Sequence, residues 1–171
     1  MSFIRQSDEV YVSETDVTTV TGADIAFLKA RAAENPRRRV RLCAHRDTGD
    51  RLHEMLIVHM RGTYVQPHKH VGKSESFHVI EGRLKVLLFD DEGRHTRTIQ
   101  LSDPNGGASF FYRLASPTFH SVVPETEFVV FHEVTNGPFD RRETIAAPWA
   151  PAETDAAAGA RFVAGLLGEQ R

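Results

Sequence analysis

Short runs rich in apolar, β-branched and aromatic residues fill the middle of the chain, from residue 37 to residue 134. Gly, Pro, Asn and Asp separate these runs, as they do where turns connect β-strands. The clearest runs cover residues 52–60, 76–81, 84–90, 96–101, 109–114, 119–123 and 127–134. Because about eight or nine strands would follow one another without a helix between them, the pattern predicts an antiparallel barrel or jelly roll.

A helical pattern precedes this region. Thr21 and Asp24 have the spacing of a capping box, with aspartate in place of the usual glutamate. Apolar residues then recur at helical spacing on both sides of Leu28. The helix is expected to end near Asn35, because Pro36 disfavours helical backbone in the residue before it.

A second helical stripe, near residues 153–168, closes the chain. We therefore expect three parts: an N-terminal strand and helix in residues 1–36, the barrel in residues 37–140, and a C-terminal loop and helix in residues 141–171. Both helices are expected to pack on the outside of an all-β core. The alternative is that they form oligomer contacts, for instance in a homodimer.

Composition and charge narrow the choice of partners. The chain has 171 residues and a formal net charge of −2, which gives no electrostatic argument for nucleic acid or an anionic membrane. No apolar run approaches the ~20 residues of a membrane span, and the N-terminus lacks the apolar run of a signal peptide. Cys43 is the single cysteine, so no disulfide framework is expected. These features predict a cytoplasmic protein with a small-molecule partner.

Four arginines surround the start of the first barrel strand: Arg37, Arg38, Arg39 and Arg41. Two interpretations are open. They can form a solvated, positively charged edge, or they can form an anion site at the mouth of a pocket.

Two histidines and a glutamate form the densest candidate chemistry of the chain. His68 and His70 alternate on a predicted strand, so their side chains point the same way. Glu75 opens the next strand after a turn, where it can face the two imidazoles. Two nitrogens and a carboxylate oxygen make half of a shell for a divalent transition metal such as iron, manganese, nickel or zinc. His120 starts a later strand and is the best candidate for a fourth ligand, which would leave positions open for water or substrate.

Side chains near these ligands are candidates for contact with a bound molecule. Tyr64 and Gln66 share the face of His68 by the period of two, so both are expected to line the barrel and contact the ligand. Tyr64 is either a catalytic acid or core filler. Tyr112 and Arg113 point in opposite directions on one strand, and Arg113 is the expected ligand contact, because a guanidinium can hold a carboxylate or phosphate.

Glu133 is the candidate catalytic base. It can reach His120 from a neighbouring antiparallel strand, although His132 is the alternative inward residue on the same strand. On the strand that Glu75 opens, Phe77 shares the face of the glutamate and is expected to form an apolar wall. His78 lies on the opposite face and is not expected to bind metal.

The spacing Gly62-x5-His68-x-His70-x4-Glu75-x6-Gly82 matches the first sequence motif of the cupins. The chain therefore resembles the cupins, which are double-stranded β-helix (jelly-roll) barrels whose two histidines, glutamate and later histidine bind a divalent transition metal. The second cupin motif is matched at His120. Four other positions depart from that motif: Ser109, Ala115, Pro117 and Pro124.

A wider set of residues resembles the WbuC-type cupin metalloproteins. The shared pattern comprises residues 67–70, 73–78, 81–82, 89–91, 111–113, 119–120, 133, 137–139 and 149–151. Those proteins are associated with bacterial gene clusters for surface polysaccharides. The resemblance therefore implies a metal-binding cupin that acts on a sugar or sugar-nucleotide derivative.

The residues leave open whether the protein is an enzyme. An enzyme would use the metal as a Lewis acid on a ligand with adjacent hydroxyl and carbonyl oxygens, in isomerase, epimerase or lyase chemistry. An iron-dependent dioxygenase is a variant, because shells of histidine and carboxylate with open positions suit iron. The alternative is a non-catalytic protein that binds a sugar or an anionic metabolite in a metal-dependent way.

Overall fold

The computed structural model describes residues 3–168, which form two facing β-sheets with a helix on the outside of each. The strands are Phe3–Arg5 (β1), Val10–Ser13 (β2), Arg39–Cys43 (β3), Leu52–Met60 (β4), His68–His70 (β5), Glu75–Glu81 (β6), Arg83–Phe89 (β7), His95–Ser102 (β8), Phe111–Leu114 (β9), Phe119–Pro124 (β10), Phe128–Asn136 (β11) and Thr144–Ala146 (β12). The α-helices are Gly22–Glu34 (α1) and Ala156–Leu167 (α2).

Strands that follow one another in the chain often lie in different sheets. The seven-stranded sheet has the order β1-β2-β3-β4-β11-β6-β9, and the five-stranded sheet has the order β12-β5-β10-β7-β8. Neighbouring strands are antiparallel except β2 and β3. From β4 to β7 and from β8 to β12 the chain passes back and forth between the sheets. This is the jelly-roll arrangement, which confirms the predicted fold class.

The interior lies between the two sheets. Met55 and Ile57 of β4, Phe131 of β11, Val86 of β7 and Leu101 of β8 are among its buried side chains. These residues come from both sheets, and they follow the alternation of inward and outward positions that the sequence pattern predicts.

Helix α1 begins as predicted. Thr21 and Asp24 form a capping box, in which the Thr21 backbone N–H donates to the Asp24 carboxylate at 2.8 Å. The helix ends at Glu34, next to Asn35. Its buried Leu28 packs against Val58 and other outward residues of the seven-stranded sheet. The helix therefore lies on the outer face of this sheet.

The C-terminal part covers the outer face of the five-stranded sheet. Outward-facing Phe89 lies 5.1 Å from the ring of Trp149, measured between ring centroids, and Phe162 of α2 joins the same cluster. The α2 stripe thus packs on the outer face of the five-stranded sheet.

Two glycines of α2 provide a matched test of this packing. A Cβ at Gly159 would lie 2.3 Å from the Tyr64 ring, whereas nothing lies within 4 Å of a Cβ at Gly165. We expect Gly159→Ala to lower the free energy of unfolding by roughly 1–3 kcal/mol through overpacking. Gly165→Ala should raise it by about 0.5–1 kcal/mol, because alanine favours helix. Urea denaturation of both variants checks the pair, and equal effects would contradict the described contact.

The basic run near β3 is engaged by carboxylates of the same chain. Arg39 Nε lies 3.0 Å from Glu9, and Arg39 Nη1 lies 2.9 Å from Glu153 of the C-terminal segment. Arg37 contacts the same two glutamates. Of the two interpretations of the run, these pairs favour the charged edge for Arg37 and Arg39.

No helix within residues 3–168 combines the length and apolar character needed to cross a membrane.

Candidate metal centre

Three histidines from two neighbouring strands meet inside one end of the barrel. His68 and His70 lie on β5, and His120 of β10 pairs directly opposite His68. One ring nitrogen of each histidine lies within 4.8 Å of the corresponding nitrogens of the other two. This cluster could hold a metal ion.

Hydrogen bonds to the far side of each ring fix how the histidines are presented. The Nδ1 atoms of His68 and His120 lie 2.9 and 3.0 Å from the backbone carbonyl oxygens of Gln66 and Thr118. A carbonyl can only accept, so each Nδ1 carries a proton, and in the neutral form of each ring Nε2 has the lone pair that a metal would bind. His70 Nδ1 lies 3.1 Å from the hydroxyl of Thr144 on β12. Partners of this kind orient metal-binding imidazoles.

Glu75 lies against two of these rings from the opposite sheet. Its Oε1 is 2.9 Å from His120 Nε2, and its Oε2 is 3.5 Å from His70 Nε2. Despite the short distance, Glu75 Oε1 and His120 Nε2 do not have hydrogen-bond geometry, and neither has another partner among residues 3–168. Buried polar atoms rarely lack a partner. Their arrangement fits a cation between them, so the donor set of three imidazoles and one carboxylate is suited to a divalent transition metal.

The charges of the site depend on this contact. Burial lowers the pKa of His68 to about 4, and His120 adds to the effect, so His68 is neutral near pH 7. Burial alone would lower the pKa of His120, but the Glu75 carboxylate more than offsets it and raises that pKa. Burial alone would raise the pKa of Glu75, but His120, with His70 and His68, holds it below its usual range. Glu75 is therefore ionised and available as a ligand.

Glu133 also faces the interior. On β11 it pairs with Met55 of β4 on one side and Phe77 of β6 on the other, and both neighbours are inward-facing core residues. Burial raises the pKa of Glu133 to about 8, and the negative charge of Glu75 adds to the effect. Of the two candidates on this strand, Glu133 rather than His132 is thus inside the barrel, where its carboxyl can hold or release a proton near neutral pH.

The prediction that Tyr64 and Gln66 line the barrel is wrong. The Tyr64 hydroxyl donates to the carbonyl oxygen of Pro151 at 2.8 Å, and the Gln66 amide donates to that of Ala147 at 3.2 Å. Both side chains therefore hold the C-terminal segment on the outside of the barrel, and neither the catalytic role of Tyr64 nor the ligand contact of Gln66 is retained.

The reason is a break in the alternation between β4 and β5. Val65 packs in the interior core, and His68, three positions later, joins the cluster inside the barrel. A regular strand would send these two side chains to opposite faces. Residues 63–67 are not part of a strand, and Pro67 has no backbone N–H for a strand ladder. Continuing the strand alternation backward from His68 through this connection therefore assigns Tyr64 and Gln66 to the wrong face.

Of the two adjacent residues on β9, the structure selects Tyr112 and not Arg113. Tyr112 is 6% exposed and its ring centroid lies 5.5 Å from that of Phe77. Arg113 is exposed and donates to the Ser74 hydroxyl at 3.3 Å. The prediction that Arg113 enters the barrel is therefore wrong. The alternation correctly predicted that only one of the two side chains enters the barrel. The choice of Arg113 was wrong because it rested on the ability of a guanidinium to bind an anion and not on which face of the strand is buried.

The neighbours of Glu75 along β6 lie as predicted. Phe77 and Val79 are buried in the interior, whereas His78 is exposed on the outer face. Sequence reasoning missed Thr144, the partner of His70. Its strand is only three residues long and pairs with β5 across 74 positions of sequence, so no local pattern indicates the contact.

Comparison with known proteins supports the fold. A family model described as "Domain of unknown function (DUF6016)" matches residues 20–101. No curated protein matches the sequence. The chain is similar in structure to the protein SO0799 of Shewanella oneidensis, with a TM-score of 0.51 and 12% identity over 73% of this chain and 77% of that one.

A second similar structure is CapF of Staphylococcus aureus, a capsular polysaccharide assembling protein. The TM-score is 0.50 and the identity is 18%, over 62% of this chain and 32% of CapF. The similarity thus spans about a third of CapF. At these identities the similarity concerns the fold alone.

Two facing sheets in jelly-roll order, with three histidines meeting inside one end, define a barrel of the cupin fold. The cupin resemblance read from residues 62–82 is therefore confirmed at the level of the fold. The structural matches leave the narrower WbuC-type resemblance as a prediction.

Proposed function

We propose that the protein is a metal-dependent cupin that binds a small, oxygen-rich ligand inside the barrel and acts on it as an isomerase, epimerase or lyase. The observation that carries this proposal is the cluster of His68, His70 and His120, with the Glu75 carboxylate against His70 and His120. Two buried atoms there, Glu75 Oε1 and His120 Nε2, lack partners among the described residues. His68, His70, Glu75 and His120 would hold the metal.

A divalent metal bound there would act as a Lewis acid on a ligand oxygen. The residues of the chain would supply the rest. Glu133 faces the same interior, and its raised pKa of about 8 suits a group that exchanges a proton with the ligand near neutral pH. A base inside the barrel favours an enzyme over the alternative of a protein that only binds its ligand.

Sugars and sugar nucleotides are the proposed ligand class. The resemblance to WbuC-type proteins supports this class, and CapF, which has a similar fold, is by its description a capsular polysaccharide assembling protein. CapF has also been solved with the inhibitor 3-isopropenyl-tropolone. A WbuC-type role, a cytoplasmic location and a homodimer remain predictions that accompany this proposal.

The proposal is tested by thermal shift of the metal-loaded protein with a panel of nucleotide sugars, because a ligand that binds only the folded state raises the melting temperature. At a concentration 100-fold above Kd, the stabilisation is about 2.7 kcal/mol. We expect a shift in the loaded protein and none after chelation. A shift that is the same with and without metal would contradict a metal-dependent site. Binding without turnover of the shifted sugar would favour the non-catalytic alternative.

A further inference from the structure

The Tyr112 hydroxyl is a buried polar group without a partner. The side chain is 6% exposed, and its oxygen makes no hydrogen bond to any of the described residues. A buried hydroxyl in this state costs free energy that a ligand or a water molecule can recover. Tyr112 therefore differs from Tyr64, the other buried tyrosine of the barrel region, whose hydroxyl is satisfied by Pro151.

Tyr112 lies in one row with Glu133 across the inside of the seven-stranded sheet. Phe77 of β6 pairs with Glu133 of β11 on one side and with Tyr112 of β9 on the other. Since adjacent strands are about 4.8 Å apart, roughly 10 Å separates the backbones of Tyr112 and Glu133, with the Phe77 ring between them. In the next row toward the end of the barrel, Glu75 pairs with Thr135 and Leu114.

The Glu133 carboxyl group, like the Tyr112 hydroxyl, lacks a polar partner among the described residues. Its carboxylate forms no ion pair or side-chain hydrogen bond with the rest of residues 3–168, although it lies within the barrel. Two polar groups without partners thus stand on either side of an aromatic ring, one row below the carboxylate that contacts His70 and His120.

The interior is incompletely shielded from solvent at this end. Four residues whose side chains face the interior are partly exposed to solvent: Leu88, Leu114, Glu133 and Thr135. His68 and His70 are also partly exposed. The partly exposed residues next to the row of Tyr112 and Glu133 thus lie on the side of the histidines.

We propose that Tyr112 and Glu133 hold, from opposite sides, a small ring-shaped ligand that carries several oxygens and rests its apolar face on Phe77. The Tyr112 hydroxyl donates to one ligand oxygen, and the Glu133 carboxyl bonds a second. An aromatic floor with polar groups at both edges suits a sugar-like ring, which has apolar C–H faces and hydroxyls at its rim. This inference rests on the proposed function, because the ligand would also contact the metal centre.

The test uses zinc and kojic acid. Kojic acid is a six-membered hydroxypyranone with adjacent hydroxyl and carbonyl oxygens, so it can bind a metal and occupy the row at once. Tyr112→Phe removes one oxygen and keeps the ring. Tyr64→Phe is the matched control, since it removes the same oxygen from a buried tyrosine that contacts the C-terminal segment. Glu133→Gln is the second variant and keeps the side-chain shape.

We expect Tyr112→Phe and Tyr64→Phe to bind zinc as the wild type does, in a titration with a competing chromophoric chelator. The zinc affinity of Glu133→Gln is measured in the same way, and its calorimetry is run with the zinc site saturated. By calorimetry on the zinc-loaded proteins, the Kd for kojic acid should rise about 10-fold in Tyr112→Phe and in Glu133→Gln, and should be unchanged in Tyr64→Phe. Equal affinity of the Tyr112 and Glu133 variants and the wild type would overturn the inference and leave the proposed function standing. Zinc-loaded wild type that does not bind kojic acid would also overturn it. Wild type that binds no zinc would overturn the proposed function itself.

Discussion

Replacement of His68, His70 or His120 with alanine is expected to weaken binding of zinc or nickel by more than about 100-fold. Loss of a residue that only orients a ligand typically costs 10–100-fold, and loss of the ligand itself should cost more. One ring nitrogen of each histidine belongs to the same cluster, so each substitution removes one donor from it. Elemental analysis after dialysis, with competition against a chelator of known affinity, measures the loss.

His78→Ala is the control for this series. His78 is exposed on the outer face of β6, so its removal should leave the metal content unchanged. If the His120→Ala variant kept its full metal content, His120 would not be a metal ligand.

The pH dependence of metal binding gives a second check. Metal binding must displace the proton that Glu75 favours on His120, so affinity should fall as the pH drops below the raised pKa of His120. His68, with a pKa of about 4, should not contribute above pH 5.

Glu133→Gln is expected to stabilise the metal-free protein at alkaline pH. The pKa of Glu133 is about 8 in the folded protein and 4.5 in the reference state. Below pH 4.5 the carboxyl is protonated in both folded and unfolded protein, and the pKa difference contributes nothing to stability. Between pH 4.5 and 8 the unfolded chain releases a proton that the folded protein retains, so the stability of the wild type falls as pH rises. Above pH 8 the penalty is constant.

The glutamine variant carries no such penalty, so its advantage should grow from pH 5 and level off above pH 8, at on the order of 2–5 kcal/mol. Denaturation in urea across this pH range measures it. Glu127→Gln is the matched control, because Glu127 on the adjacent turn is exposed and should show no such trend. Equal pH profiles for wild type and Glu133→Gln would mean that the Glu133 carboxyl is not held in its neutral form. Added zinc should reduce the difference, because positive charge near His120 favours the ionised carboxylate.

The longer barrel strands and α1 could be predicted because their signals are local. Residues 52–60 form an apolar-rich run without Gly or Pro, and β4 has those bounds in the structure. Thr21 and Asp24 lie three residues apart, so their capping box is fixed within one turn of helix. Such contacts depend on neighbours in sequence and survive in any fold that keeps the element.

The faces of Tyr64 and Arg113 could not be predicted in the same way. For Tyr64, the alternation had to be continued through residues 63–67, where the chain leaves one sheet for the other and strand periodicity is lost. For Arg113, the alternation was intact, but which parity faces inward depends on the pairing of β9 with β6. The alternation of side chains along a strand defines two faces, but it does not say which of the two faces is buried.

The sequence by itself determined the core of the candidate site: two histidines on one strand and a glutamate after the next turn can be recognised as metal donors because their spacing and donor chemistry are local properties. The tertiary structure decided what surrounds that set. It brought His120 opposite His68, Thr144 onto His70, and Tyr112 and Glu133 to either side of Phe77. Each of these contacts joins residues far apart in the chain, and strand register and sheet order fix them only when the barrel closes.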